Sequence, residues 1–403
     1  MRILFITSFY SALQESIYCD VWKPKGMPAI VKLFEGLKHI NFDFDAVFVQ
    51  RNSENKEIHH LENSMFQNNM HILKIVKKSD IKFFRGLGNS INSFLVFKKI
   101  KFIMKSTSYD IIYVDRANIV IGALLALAGY KVVLRLHGVS DFYENYASLS
   151  FRVLNPITYF SLKGPFRQII CSEDGSPGKQ FLNKYTKSNH TVTLLNGVDD
   201  IKKKIPIKIL RNRLLIPENL PVFLFVSRLS KDKGILDFID AICEIQKSRI
   251  DFYTLIVGGG NCYNEVERVI ENNSLKNILL IGAVNHKEIY NYYLLSDVYV
   301  SLNKIGNLSN TVLEAVNTGK CIITLSKSNN SLKDFSTYDF FKEAALYVNR
   351  DNIKETLIAV ILKLIEKPQL IIDKKQEVIK CQPKLISWHK RIDMEINLLK
   401  ELI

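Results

Sequence analysis

The sequence predicts an α/β protein made of two domains. The chain has 403 residues, whereas one hydrophobic core usually serves about 100 to 200 residues, so two domains are expected. Apolar runs of four to seven residues recur along the whole chain, and segments with helical spacing separate them. Because the runs are continuous rather than alternating, they predict strands covered on both faces, as in parallel sheets flanked by helices. The simplest such architecture is two Rossmann-like domains facing each other across a cleft.

The predicted strands follow one another in a regular order. The first half carries RILFIT, DAVFVQ, DIIYV, KVVLRL, QIICS and TVTLL, and the second carries PVFLFVS, FYTLIV, NILLIG, DVYVSL and CIITL. The most apolar stretch runs from Ile119 to Tyr130 and is shorter than the roughly 20 residues that a membrane span needs. It predicts a helix, and the run after Lys131 predicts a strand. The opening MRILFITSFY is too short in its apolar part for a signal peptide and predicts a strand.

The domain border is predicted between Asp200 and Pro221, where the apolar pattern lapses into a basic run with prolines. The apolar residues of the last segment follow a helical face, which predicts a final helix that packs back on the first domain. The predicted division is therefore an amino-terminal domain of residues 1–200 with a returning helix within 383–403, a linker of residues 201–220, and a carboxyl-terminal domain of residues 221–382.

The composition excludes several classes of protein. Apolar residues make up 47% and charged residues 24% of the chain, which is typical of globular proteins and not of disordered or collagen-like ones. The formal net charge of +15 favours phosphate-bearing partners, but no nucleic-acid-binding module or aromatic stacking platform is present, so nucleic acid is not an expected partner. The six cysteines form no C-x-x-C pair and have no histidine at metal spacing, so we expect reduced thiols in a cytoplasmic protein without a bound metal.

Residues 71–105 concentrate the positive charge. They hold eight lysines and Arg85 against Asp80 alone, a net charge of +8, interleaved with Phe, Leu and Ile residues. Such mixtures lie on anionic membrane surfaces, so we expect peripheral contact with the inner face of the cell membrane. The alternative is a helix whose apolar side packs in the amino-terminal core and whose lysines are merely solvated.

The strand PVFLFVS leads into a basic loop that contains Arg228 and Lys233 and ends at Gly234. Ligands of doubly wound sheets bind at the carboxyl ends of the parallel strands. A guanidinium and an ammonium there suit a diphosphate whose charge must be held or must grow as it leaves. A solvated basic loop is the alternative, and the spacing alone does not choose between them.

Three glycines, Gly258, Gly259 and Gly260, follow the next strand directly, where glycine permits close backbone approach to a ligand. They do not form the dinucleotide pattern G-x-G-x-x-G, because Tyr263 stands at the place of the third glycine. A plain tight turn is the stronger interpretation of these residues on spacing alone.

The stretch DVYVSLNKIGNLSNTVLEAVNTGK is the most informative part of the sequence. It predicts a strand, a polar loop with Gly306, and a helix that opens between Asn307 and Asn310, with Asn310 as a possible cap, and ends at Gly319. Amides at such a helix start attract phosphate or sugar oxygens. Glu314 lies on the same side as Asn310, where a carboxylate can accept two vicinal hydroxyls. The alternative is an ordinary exposed glutamate.

Together these motifs resemble the retaining glycosyltransferases of family 4, which have the two-domain GT-B fold. The resemblance rests on SRLSKDKG, LIVGGG, the run from Gly282 to Asp297 and NLSNTVLEAVNTGK, in the family's order and spacing. In the first half, His137–Gly138, Ser172–Glu173 and Asn196–Asp199 match further landmarks, as does SWHKRIDMEI near the end. The resemblance therefore extends over essentially the whole chain.

The resemblance implies roles for individual residues. Arg228 and Lys233 would hold the donor diphosphate, and Glu314 would hold the nucleoside ribose. His137 would face the donor sugar from the other domain. The remaining residues that it implies at the donor are Gly26 in the loop before the first helix, Gly258 and Gly259 after the second strand of the second domain, and the amides of Leu308, Ser309 and Asn310.

One position departs from the family pattern. The family has two glutamates eight positions apart, and the residue eight positions before Glu314 is Gly306. The first carboxylate normally contacts the donor sugar, so its loss implies a changed donor-sugar pocket. The Asp-x-Asp of metal-dependent transferases has one candidate here, Asp43–Phe44–Asp45, which we interpret as the front of a strand.

The resemblance thus implies a hexosyltransferase that works with retention and without a metal or other cofactor. Its co-substrate would be a nucleotide-diphosphate sugar and its acceptor a glycan or a lipid-linked oligosaccharide of bacterial surface polysaccharide, such as lipopolysaccharide or capsule. Two alternatives stay open: a nucleotide-sugar epimerase of the same fold, and a scaffold subunit that kept the fold but lost activity with the carboxylate at Gly306.

Overall fold

The computed structural model describes residues 1–19, 21–24, 28–53, 58–61, 65, 70–76, 82–188, 190–200, 205–247, 251–328 and 332–403. The chain forms two compact units. The first comprises Met1–Ser172, Gly178–Leu194 and His389–Ile403, and the second comprises Glu173–Pro177 and Leu195–Trp388. Each unit is a mainly parallel sheet with helices, so the predicted α/β class is confirmed.

The first unit contains eight strands and nine helices among the described residues. In chain order they are β1 (Arg2–Ser8), α1 (Ser11–Tyr18), α2 (Pro28–His39), β2 (Asp43–Ser53), β3 (Ile58–Leu61), β4 (Met70–Val76), α3 (Lys82–Ile103), β5 (Ile111–Asp115), α4 (Ile119–Leu127), β6 (Val132–Leu136), α5 (Ser140–Ala147), α6 (Leu149–Leu154), α7 (Pro156–Ser161), β7 (Gln168–Glu173), α8 (Gly178–Tyr185) and β8 (Thr191–Leu195), with α17 (Trp388–Lys400) added by the end of the chain.

The eight strands form one sheet in the order β3-β4-β2-β1-β5-β6-β7-β8. Strand β1 pairs in parallel with both β2 and β5, and β3 pairs antiparallel with β4. Neighbouring residues of β1 point into different cores: Leu4 and Ile6 belong to one, and Ile3 and Phe5 to the other. Burial on both faces is what the continuous apolar runs predicted, and all six strands predicted in this half are confirmed.

The basic stretch of residues 71–105 is not one element. Residues Met70–Val76 form β4, which pairs in parallel with β2, and the helix begins at Lys82. The strand forms because Ile72 and Leu73 are buried in opposite cores. The interpretation of the stretch as a single helix is therefore wrong for its first part.

The second unit contains six strands and eight helices among the described residues. In chain order they are α9 (Ile207–Arg213), β9 (Val222–Val226), α10 (Ile235–Gln246), β10 (Tyr253–Val257), α11 (Tyr263–Asn272), β11 (Ile278–Gly282), α12 (His286–Leu295), β12 (Val298–Ser301), α13 (Asn310–Asn317), β13 (Cys321–Leu325), α14 (Phe335–Phe341), β14 (Leu346–Val348), α15 (Ile353–Glu366) and α16 (Pro368–Ile379). The sheet order is β11-β10-β9-β12-β13-β14, and its pairs are parallel.

The border region is structured where it is described. Helix α9 lies inside the segment that the sequence suggested as a linker, and its Leu210 packs in a core of the second unit. By its contacts, the chain up to Leu194 belongs to the first unit and the chain from Leu195 to the second. The domain borders at residues 200 and 220 stay a prediction. The described helices include none that is long and apolar enough to cross a bilayer, and Ile119–Leu127 followed by β6 is the predicted helix and strand.

Helix α17 is fixed to the first unit by a core contact and by a buried ionic network. Ile392, Ile396 and Leu399 belong to its core. Arg391 Nη1 donates to Glu395 Oε2 at 2.5 Å, and the hydroxyl of Tyr113 on β5 donates to Glu395 Oε1. Burial by itself would raise the pKa of Glu395, but the charges of Arg135 and Arg391 hold it below its ordinary value.

We predict that Glu395→Gln lowers the free energy of unfolding by roughly 3–5 kcal/mol, because it leaves two buried guanidinium groups without their carboxylate. Since the pKa of Glu395 is depressed in the folded state, its stabilisation is lost as pH falls, and the variant should therefore lose less stability on acidification. Urea titrations at neutral and acid pH measure both effects. The exposed Glu401→Gln on the same terminal segment is the control and should stay within about 0.5 kcal/mol of the parent protein. An equally stable Glu395→Gln variant would contradict the network.

Candidate functional site

A cavity of about 230 Å³ opens in the second unit at the carboxyl ends of β9 and β12. This is the edge of a parallel sheet at which ligands of such folds bind. Its described lining residues come from β9 and its basic loop, from β12, and from the start of α13: Phe225, Val226, Ser227, Arg228, Lys233, Tyr299, Val300, Ser301, Leu302, Asn303, Ser309, Asn310 and Thr311. The cavity thus brings together four residues that the sequence analysis selected, namely Arg228, Lys233, Ser309 and Asn310.

The two cations share one carboxylate. Arg228 Nη2 lies 3.7 Å and Lys233 Nζ lies 3.8 Å from Asp232 Oδ2. Ser230 Oγ donates to the other oxygen of Asp232 and fixes its orientation. The side chain of Arg228 is 69% exposed, whereas that of Lys233 is 22% exposed. Lys233 is thus the more shielded of the two cations, and Arg228 is the more accessible to solvent.

Glycine fixes where the basic loop turns. Gly234 has φ +74°, and a Cβ there would stand 2.5 Å from the carbonyl oxygen of Leu302. Any other residue would therefore push the loop away from β12. Gly258 and Gly260 serve the neighbouring turn in the same way, since both would place a Cβ against the backbone of residues 227–229. Gly258 and Gly260 thus pack behind the Arg228 loop, as expected for a tight turn, and neither Gly258 nor Gly259 is among the described residues that line the cavity. The role of Gly258 and Gly259 in donor binding stays a prediction.

The start of α13 differs from the sequence-based expectation. Ser309 stands at the cap position, and Asn310 is the first helical residue. Because Asn310 is already helical, it does not cap the helix, and its Oδ1 accepts a hydrogen bond of 2.7 Å from Asn196 Nδ2. The amide of Leu308 donates to the carbonyl oxygen of Asp174 at 3.0 Å, and Leu308 is buried. The amide of Leu308 is therefore engaged within the second unit, and its role in donor binding stays a prediction.

Glu314 is buried, with 4% of its surface exposed, so the alternative of an ordinary exposed glutamate is wrong. Its Oε1 lies 2.8 Å from His286 Nε2. On the other side of the imidazole, Nδ1 lies 3.8 Å from Asp199 Oδ2. Burial raises the pKa of Tyr290 beside this cluster, and the charges of Glu314 and Asp199 raise it further, so the phenol stays protonated.

Sequence reasoning did not select His286. Its signals were weak: a histidine at a predicted helix start, and Asp199 in the Asn196–Asp199 landmark. His286 and Glu314 are 28 positions apart, and no sequence pattern pairs them; the packing of α12 beside α13 brings them together.

Gly306, at the place of the missing carboxylate, packs against the segment of residues 173–177. A Cβ there would stand 2.6 Å from the carbonyl oxygen of Asp174 and 2.7 Å from Ser176 N. Gly175 faces the same contact from the other side, and a Cβ on it would stand 2.5 Å from Asn307 N. The space of a family glutamate is therefore filled by backbone, which explains why glycine stands there.

His137 follows β6 in the first unit. Its Nε2 is shielded from solvent and has no hydrogen-bond partner among the described residues. Burial lowers the pKa of His137 to about 3, and the charges of Arg135 and Arg116 lower it further, so the imidazole is neutral. The neutral imidazole can donate or accept a hydrogen bond with a ligand, but it contributes no charge. Gly26, the other residue expected from this half, lies outside the described residues.

The Asp43–Phe44–Asp45 segment is the front of a strand, as interpreted. It opens β2, and Asp45 is buried. The carboxylate of Asp45 accepts hydrogen bonds from Arg2 Nη2 at 3.0 Å and from the Tyr109 hydroxyl at 2.5 Å. These contacts give Asp45 a structural role inside the first unit.

Comparison with known proteins agrees with this geometry. Residues 206–378 match the family described as "Glycosyl transferases group 1". An α-monoglucosyldiacylglycerol synthase of Acholeplasma laidlawii is 24% identical over 166 residues, which span 41% of this chain and 40% of that relative. For residues 206–378, the motif-based resemblance to glycosyltransferases is thereby confirmed at the level of group 1.

Solved structures match over the full length. Sucrose-phosphate synthase of Thermosynechococcus elongatus has a TM-score of 0.73 and 15% identity, with 100% of this chain and 99% of that chain covered. HepE of Anabaena, solved in complex with UDP-glucose, has a TM-score of 0.68 and 17% identity, with both chains covered completely. The predicted GT-B fold is confirmed.

We predict that Gly306→Ala lowers the free energy of unfolding by about 1–3 kcal/mol, because its methyl group would overlap the backbone of residues 174–176. Thermal and urea unfolding measure the loss. Gly259→Ala is the matched control, since its Cβ would meet only Ala283 Cβ at 3.5 Å. Equal stability of the two variants would show that the two segments do not approach as described.

Proposed function

We propose that the protein is a retaining, metal-independent glycosyltransferase of family 4. It moves a hexosyl group from a nucleotide-diphosphate sugar to a glycan or lipid-linked oligosaccharide in bacterial surface polysaccharide biosynthesis. It needs no cofactor beyond the donor co-substrate. The observation that carries the proposal is the cavity at the carboxyl ends of β9 and β12, where Arg228 and Lys233 stand beside the start of α13.

The charges of this cavity suit a leaving diphosphate. An Arg fork and a Lys ammonium stabilise phosphate oxygens through charge-assisted hydrogen bonds, and such fixed charges act most strongly on charge that grows during the reaction. The α13 start adds its dipole at the same place. HepE of Anabaena was solved with UDP-glucose, which supports a nucleotide sugar as the donor here.

The lining also bears on the mechanism. None of the described residues that line the cavity is an aspartate or a glutamate, so the proposed reaction uses no protein nucleophile from this lining. In the proposed retaining transfer, the acceptor hydroxyl attacks on the same face that the diphosphate leaves. The bond from the anomeric carbon to the phosphate oxygen breaks, the bond to the acceptor oxygen forms, and the hydroxyl proton passes to the departing phosphate.

A basic apolar face on the first unit supports an acceptor at the membrane. We define this face as Ile91, Phe94, Leu95 and Phe102 on α3 with Leu149, Val153, Leu154, Ile157 and Phe160 on α6 and α7, all of them exposed. Helix α4 packs against both α3 and α7, so these helices lie on one side of the sheet. Exposed apolar side chains on neighbouring helices are the kind of feature that marks an interaction surface.

Cations surround the rings of this face. Lys98 Nζ lies 4.9 Å from the ring centre of Phe94, and Lys163 Nζ lies 5.6 Å from that of Phe160. Rings that enter a bilayer interface beside lysines suit anionic lipid, with about 1 kcal/mol from each cation near the surface. The Acholeplasma relative is named an α-monoglucosyldiacylglycerol synthase, which is in keeping with a lipid-borne acceptor. The protein would then work in the cytoplasm, peripherally on the inner membrane face.

The first test is turnover. Incubation with a panel of UDP-, ADP- and GDP-sugars and a lipid extract should release the nucleoside diphosphate from one donor. Lys233→Ala should lower kcat by roughly 10²–10³-fold, because it removes a charge that stabilises the leaving group. Lys231→Ala, an exposed lysine of the same loop outside the cavity lining, is the control and should keep full turnover.

The outcomes separate the alternatives. Silence with every donor would contradict the proposal, and a cellular glycan unchanged by Lys233→Ala and Glu314→Ala would support the scaffold subunit. Release of nucleotide without an acceptor, together with an epimerised sugar, would identify an epimerase.

The second test is membrane binding. The protein should sediment with phosphatidylcholine vesicles that contain phosphatidylglycerol and much less with phosphatidylcholine alone, and salt should weaken the binding. Phe160→Ser should weaken the partition about tenfold, because a large ring no longer enters the interface. Leu215→Ser removes an even more exposed apolar side chain, in the second unit, and should leave binding unchanged. Equal binding to both kinds of vesicle would contradict an anionic membrane partner.

A further inference from the structure

Asp199, His286 and Glu314 form a cluster that the proposed reaction does not yet use. Glu314 stands on α13, one turn after Asn310 of the cavity lining. His286 is the first residue of α12, and Asp199 follows β8. The imidazole lies between the two carboxylates, 2.8 Å from Glu314 Oε1 and 3.8 Å from Asp199 Oδ2.

Glu314 has an unused oxygen. His286 Nε2–H donates to Oε1, whereas Oε2 is shielded from solvent and has no donor among the described residues. A buried carboxylate oxygen without a donor is costly, and a carboxylate has about four acceptor positions. A ligand that brings hydroxyl donors to this point would remove the penalty. The ribose of a nucleotide whose phosphates lie at the start of the same helix carries two such hydroxyls.

Asp199, which lies beside His286, is itself held in place. The carbonyl oxygen of Asp199 accepts hydrogen bonds from Asn317 Nδ2 at 3.0 Å and from the Tyr290 hydroxyl at 3.4 Å. The Tyr290 ring also meets the imidazole edge-on at 6.3 Å between ring centres. With 43% of its side chain exposed, His286 is nevertheless no part of the core. Because His286 contacts Glu314 on one side and lies near Asp199 on the other, it can orient the Glu314 carboxylate.

We propose that His286 is a positioning residue: it fixes the Glu314 carboxylate in the orientation that accepts the ribose hydroxyls, and thereby sets the preference for ribonucleotides over deoxyribonucleotides. The inference rests on the proposed function, since it takes a nucleoside diphosphate as the ligand. Its evidence is separate, because it comes from the Asp199–His286–Glu314 geometry and not from the cationic loop.

Calorimetric titration of the full chain tests the inference. The nucleoside diphosphate that binds best among UDP, ADP and GDP is compared with its 2′,3′-dideoxy form. The parent protein should bind the dideoxy form roughly 10- to 100-fold more weakly, as for lost hydrogen bonds to a charged group. His286→Ala should shrink this ratio to about threefold by weakening the ribonucleotide alone. His286→Gln should keep most of the ratio, because its amide N–H replaces Nε2–H.

A matched control and a second variant make the result decisive. His389→Ala removes an exposed histidine of the first unit that also pairs with an aspartate, and should leave both affinities unchanged. Asp199→Asn should lower the ratio by a smaller amount than His286→Ala. Melting temperatures establish that each variant is folded.

Two results would overturn the inference while leaving the transferase intact. In one, His286→Ala weakens both nucleotides equally, which indicates a general structural role. In the other, it changes neither affinity although Glu314→Ala abolishes the ratio. If none of the three ribonucleotides binds the parent protein, the proposed function fails, and the role of His286 falls with it.

Discussion

The cavity of the second unit depends on backbone approaching backbone at positions without a side chain. Gly234 brings the basic loop against Leu302, Gly258 brings the β10 turn against Ser227, and Gly306 brings the β12 loop against residues 174–176. Protein interiors are packed so densely that one methyl group at such a contact shifts the chain. The positions of Arg228 and Lys233 are therefore set by these backbone contacts rather than by interactions of their own side chains.

A buried aspartate holds the β12 loop where these glycines let it pack. Asp334, with φ +59°, accepts a hydrogen bond of 2.6 Å from the amide of Asn307 and another of 2.8 Å from its side chain. Arg350 pairs with the same carboxylate, and burial lowers the pKa of Arg350 to about 10, so the pair stays charged at neutral pH. Because a buried charge must be paired and hydrogen-bonded to persist, each member of this cluster requires the others. The loop that lacks the family glutamate is thus held by a carboxylate from elsewhere in the chain.

The strands could be predicted from the sequence, whereas most side-chain contacts of the candidate site could not. Continuous apolar runs predict strands buried on both faces, and every strand predicted in this way is present. Strands β3, β4 and β14 were not predicted, because β3 and β14 are only four and three residues long and β4 lies in the basic stretch of residues 71–105. Asn310 was predicted as the helix cap because asparagine is favoured at that position. In the structure its side chain accepts a hydrogen bond from Asn196, 114 residues away. The pairing of His286 with Glu314 and the filling of the space at Gly306 are equally long-range. A motif can show that a carboxylate is absent at Gly306, but it cannot show what occupies the space.

Helix α13 relates the two halves of the candidate site by its own geometry. Asn310 stands at its first turn, beside the cations, and Glu314 follows one turn later. With a rise of about 1.5 Å per residue, four residues separate the two by roughly 6 Å along the axis, comparable to the separation of a ribose from its diphosphate. Asp232 leaves the basic loop with a smaller net charge, so a free phosphate gains little there on its own. A ligand that joins a diphosphate to a ribose can contact the cations and Glu314 at the same time. Once one group is bound, binding of the other is intramolecular and costs little further translational entropy. In the proposed function, selectivity for nucleoside diphosphates thus comes from helix α13, which has the positive end of its dipole at Asn310 and the buried carboxylate of Glu314 one turn later.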